Sequence, residues 1–100
     1  MSAGEHRKGN EMSGTETIAK GRIAEAYLGL AGRAGEYVRI RELRERLAGL
    51  QGLDAILIRM YREQEINLVP QSNQRALTPA DRAAAVRCGG EDKHRMSWND

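Results

Sequence analysis

Apolar positions at helical spacing dominate the middle of the chain. Leu53, Ile56, Leu57, Met60 and Tyr61 fall at i, i+3, i+4, i+7 and i+8, which predicts an amphipathic helix over residues 53–64. Before it, Ile40, Leu43 and Leu47 line one side of a two-turn helix whose other positions are Arg41, Glu42, Arg44, Glu45 and Arg46, and Gly49 ends it. Earlier still, Ile18, Ile23, Tyr27 and Leu30 recur at roughly helical spacing behind a cap at Thr15 or Thr17. Gly21 and Gly29 weaken that first helix by up to about 1 kcal/mol each relative to alanine, so it must lean on tertiary packing. Gly32 and Gly35 stop it.

Between these helices the pattern shortens. Residues 36–40 are β-prone and predict a brief strand, and residues 66–69 a second one with Ile66 and Leu68 pointing the same way. Pro70 ends that ladder. Thr78 as cap, Pro79 at the first position and Asp81 in the first turn predict a short helix over residues 78–87, broken at Gly89-Gly90. Residues 94–98 read as a closing strand, with Trp98 packed against the first helix. Residues 1–14 are polar and glycine-containing and read as a disordered tail, which leaves residues 15–100 as one domain.

The order is helix, short strand, short helix, helix, strand, long connection, strand. Two helices in close succession, the second followed at once by a strand, match the winged helix-turn-helix arrangement. Residues 37–49 (YVRIRELRERLAG) resemble the strand and second helix of that superfamily, and residues 53–69 (LDAILIRMYREQEINLV) resemble its third helix and first wing strand. The resemblance covers about residues 16–69 and rests on pattern, not on a signature peptide. It implies an α+β fold: a three-helix core plus a small antiparallel β-hairpin. The connection over residues 70–93 departs from the family, because it is long and holds its own helix.

In that family the third helix enters the DNA major groove. At 100° per residue the side opposite the apolar stripe carries Gln51, Ala55, Ile58, Arg59 and Arg62, with Asp54 and Glu63 on its flanks. Arginine can pair bidentately with guanine and glutamine with adenine, and aliphatic groups can touch a thymine methyl. The bland alternative is a solvated helix face. Ile58 is the awkward member: it could touch a base methyl, pack under the long wing or mark a protein interface. Arg39 and Arg41, near the start of the second helix, are candidate phosphate anchors, as are Arg75, Lys93 and Arg95 in and beside the connection. Arg41, Arg44 and Glu45 could equally form surface ion pairs.

Charge permits this reading without demanding it, since the formal net charge is only +2. The expected function is therefore binding of double-stranded DNA by a small bacterial-type regulator or DNA-associated accessory factor, working as a homodimer. The alternative is a winged-helix protein-interaction module inside a larger assembly, without DNA binding. Enzyme chemistry is not expected. The two histidines, His6 and His94, and the one cysteine, Cys88, have no metal-ligand spacing, so neither a metal nor a cofactor is expected. No phosphate-binding glycine motif is present, and Ser72 and Ser97 lack a nucleophile-elbow context. A single cysteine fits a reducing cytoplasm, and no apolar run is long enough for a membrane span or a secretory signal.

Overall fold

In the computed structural model the backbone is described for residues 3–99 and the side chains for residues 16–99. Among these are four α-helices and five short strands, in the order α1 (Ala3–Ala31), β1 (Val38–Arg39), α2 (Ile40–Arg46), α3 (Leu53–Arg62), β2 (Ile66–Val69), α4 (Pro79–Ala84), β3 (Val86–Cys88), β4 (Glu91–Lys93) and β5 (Arg95–Trp98). A single 3-10 turn, Gln74–Ala76, precedes α4. The class is α+β, helices around a small antiparallel sheet.

Helix α1 begins at Ala3 and not at Thr15 or Thr17, so it runs back through the stretch read as a tail. The side chains of that stretch, Thr15 included, lie outside the described residues. The helix ends at Gly32, whose φ of +87° only glycine adopts without strain and whose N–H bonds to Leu28 O at 2.8 Å. Its buried stripe is Ala19, Ile23, Ala26 and Tyr27. Ile18, expected on that stripe, is 69% exposed, because five residues of helix carry it far round the cylinder from Ile23.

Tyr27 fixes the turn that follows. Its ring is fully buried and meets Trp98 at 5.9 Å, tilted by 40°. Its hydroxyl donates to Glu36 O at 2.5 Å and lies 3.2 Å from Arg33 O. The chain then enters a strand of only two residues, since Ile40 already begins α2.

Helices α2 and α3 are joined by a tight connection in which Gly49 and Gly52 both have positive φ. Gly52 is the residue before α3 and supplies no side-chain cap. Packing therefore holds α3: Leu53, Leu57 and Met60 face inward, as their spacing predicts. Gln64, at φ +64°, turns the chain into β2.

Strand β5 is central in a three-stranded antiparallel sheet of order β1-β5-β2. Met96 pairs with Val38 on one side and Leu68 on the other, and all three are buried. They join Ile23, Tyr27, Ile40, Leu43, Leu57 and Met60 in one core.

The connection from β2 to β5 is more structured than its sequence predicts. Helix α4 has the expected reciprocal cap: Asp81 N donates to Thr78 Oγ1, and Thr78 N donates to Asp81 Oδ2. It stops at Ala84, however, and residues 86–93 form a second, two-stranded hairpin, β3 with β4, turned at Gly89 and Gly90. The two φ angles, +64° and +83°, suit a tight hairpin turn, so the pair read as a helix breaker is a strand connector. The whole segment is fastened to the body. Arg44 Nε donates to Ala84 O at 2.8 Å, Arg41 pairs with Asp81, and Val86 is fully buried in the core.

Candidate nucleic-acid interface

Helix α3 turns its inner stripe to the core, and its other sides differ from one another. Gln51, just before it, and Ala55, Arg59 and Arg62 on it are exposed. Ile58 is half-buried and packs against the core cluster, and β3 lies against the same helix. Ile58 is therefore partly taken up by the fold and is not freely presented on the outer face. The exposed face is thus the strip from Gln51 through Ala55 to Arg59 and Arg62.

Acidic groups close in on that strip from both flanks. Arg59 Nη1 lies 2.7 Å from Glu16 Oε2 on α1, and its Nε lies 3.7 Å from Glu63. Lys20, one turn along α1, reaches Glu65 at 3.0 Å and Glu63 at 3.9 Å. On the opposite flank Arg44 of α2 holds Asp54 at 2.7 Å. Arg62 makes no ion pair among the described residues and is the cation of α3 most open to a partner.

The candidates outside α3 divide. Arg39 is exposed, Arg75 is exposed on the 3-10 turn, and Arg95 is Arg39's antiparallel neighbour across the β1–β5 ladder. Arg39 and Arg95 also line one crevice with His94, Gln71 and Asp81. Arg95 is half-buried: its guanidinium carbon lies 5.3 Å from the centre of the Tyr37 ring, and its Nε is buried without a partner among the described residues.

Arg41 and Lys93 are engaged in the fold itself. Arg41 Nε donates to Asp81 Oδ1 at 2.9 Å, and its Nη1 reaches Glu45 at 3.2 Å. Hydrogen bonds from the Thr78 backbone and from Arg41 hold the Asp81 carboxyl at about 2, against the opposing effect of burial. The same pairing raises the Arg41 pKa further. Lys93 is only 7% exposed. Its ammonium donates to Glu91 at 2.6 Å and sits 5.7 Å from the Tyr61 ring centre, so it staples the hairpin to α3. The hydrogen bond to Glu91 raises its pKa and outweighs desolvation, so the charge is kept.

Sequence reasoning passed over Glu16, Lys20, Arg44 and Asp81 as parts of this surface. Their pairings join residues far apart in the chain, and no local spacing signals them. His94 is buried, and its Nδ1 accepts from Gln71 N at 3.0 Å, which gives it a place in the loop architecture. Among the described residues no group of three or more His, Cys, Asp or Glu side chains gathers as a metal site, and no helix is long and apolar enough to cross a membrane. No protein-family model matches the chain, and no curated protein or solved structure matches it.

Proposed function

We propose that this chain is a winged-helix domain that binds double-stranded DNA, with α3 in the major groove. The observation that carries the reading is the sheet order β1-β5-β2, all antiparallel, wrapped by helices in the order α1, then α2 and α3 between β1 and β2. In that arrangement α3 is the recognition helix. Its open strip offers Gln51, Ala55, Arg59 and Arg62, groups suited to base edges. Arg39, Arg75 and Arg95, at the end of the sheet where β1 meets α2 and at the adjoining loop, suit the sugar-phosphate backbone. Arg41 and Lys93 fall out of the contact set, because their charges are already held by Asp81 and Glu91. Such a protein would act on the chromosome, in the cytoplasm, as a regulator or an accessory factor.

A mobility-shift assay with duplex DNA tests this. Arg62→Ala is expected to weaken binding about tenfold, in keeping with the roughly 1–3 kcal/mol that a good base contact contributes. Lys93→Ala is expected to lower thermal stability and leave the affinity of the folded protein unchanged. Equal affinities for wild type and Arg62→Ala would remove α3 from the interface.

A second reading, docking to a protein, is favoured by one observation. The cations beside Arg62 are largely matched by acids of the same chain: Arg59 by Glu16, Lys20 by Glu65 and Arg44 by Asp54. A mixed-charge surface of this kind suits a polar protein interface as well as a polyanion. Failure of the protein to shift any duplex at low salt would favour it.

A further inference from the structure

Among the described residues, two of the three large apolar side chains that stand exposed, Ile18 and Leu28, share the outer face of α1. At 100° per residue Ile18, Gly21, Arg22, Glu25 and Leu28 fall within about 120° of arc, turned away from the core stripe. We infer that this face binds the same face of a second copy, with the two α1 helices antiparallel about a twofold axis that crosses the outer face at the level of Ile23.

The pattern is self-complementary about that point. Ile18 and Leu28 lie five residues to either side of Ile23, so an antiparallel pairing sets each Ile18 against the other copy's Leu28. Arg22 and Glu25, of opposite charge, are centred half a residue further along, so each Arg22 comes within reach of the other copy's Glu25, twice per dimer. Within one chain these two are three residues apart on a helix, a spacing that permits an ion pair, yet neither makes one among the described residues. Most other charged side chains around the core are paired. Gly21 lies beside Leu28 on one edge of the face, two residues from the level of the axis, and has no side chain there; a Cβ would meet nothing within 4 Å, so the helices can approach closely along that edge. Arg46 of α2 borders the same open groove as Arg22 and Glu25 and adds a second cation for the incoming Glu25. An isologous contact of this kind requires each patch to complement itself, and this face does.

The inference concerns α1 alone and stands apart from the DNA reading, since its test uses no nucleic acid. Light scattering on the full chain across a concentration series is expected to give twice the 11.1 kDa monomer mass. Arg22→Glu and Glu25→Arg are each expected to shift the protein to monomer, and the double exchange R22E/E25R to restore the dimer. Gly21→Gln is expected to raise the melting temperature of the monomer, because glutamine is the better helix former, and yet to abolish the dimer. Circular dichroism checks that each variant is folded. A monomeric wild type, a dimer indifferent to either single reversal, or a double exchange that stays monomeric would each overturn the inference.

Discussion

Arg41 and Asp81, forty positions apart in the chain, share a 2.9 Å hydrogen-bonded ion pair that ties α2 to α4. The carboxylate is 5% exposed, and it also closes the cap of α4 through Thr78. One side chain thus does two structural jobs: it starts a helix, and it anchors the segment between β2 and β5 against the body of the domain. Because that segment is anchored in this way, its hairpin is a fixed neighbour of α3 and not a loose arm.

Asp81→Asn is therefore expected to destabilise the protein by about 2 kcal/mol, the scale of losing charge-assisted hydrogen bonds at a buried site. The pH dependence has a definite sign. The folded Asp81 is depressed from 3.8 to about 2, so its stabilisation is present in full above about pH 4 and is lost as the pH falls from there towards 2. Denaturant melts of wild type and Asp81→Asn at several pH values check this. The gap between them should narrow in that window, and a gap constant down to pH 2 would contradict the assignment.

Tyr27→Phe keeps the ring against Trp98 and removes only the hydroxyl that donates to Glu36 O. The expected cost is about 1 kcal/mol in urea unfolding, the scale of one lost part-buried hydrogen bond. A cost near zero would mean that water replaces the hydroxyl and that the turn after α1 is held by the ring alone.

If α3 binds DNA as proposed, Glu16 competes with the duplex for Arg59. On the DNA reading, Glu16→Gln is expected to tighten duplex binding about threefold at low salt, an increment typical of a half-exposed ion pair. Arg59→Ala in the Glu16→Gln background should then cost more affinity than the same change in wild type. Fluorescence anisotropy on the four proteins of this cycle measures the coupling, and additive effects would contradict the competition.

Most elements were legible because their signals are local. The α3 stripe, the Thr78 cap with Pro79 and Asp81, the strand ending at Pro70 and the meeting of Trp98 with α1 all follow from spacing and turn chemistry. The β3–β4 hairpin was missed, although Gly89-Gly90 between residues able to extend is a hairpin signal; the cap upstream suggested a longer helix. The site was legible in part. An arginine's place on a helix can be read from its phase, so Arg62 was found on the open face. What holds its charge cannot: the spacing of Arg41 and Glu45 allows their ion pair, but nothing local signals Asp81, and Lys93 looks as free in sequence as Arg62. Burial and a distant carboxylate set them apart, and both are properties of the tertiary fold.

The most direct test of the central claim is the salt dependence of binding to a random duplex, followed by anisotropy. If Arg39, Arg62, Arg75 and Arg95 engage phosphates and bases as proposed, the logarithm of the association constant should fall with the logarithm of salt with a slope of about −3, the release expected for three to four neutralised phosphates. No association at low ionic strength, or an association indifferent to salt, would contradict DNA binding and leave the docking of a protein partner as the better account.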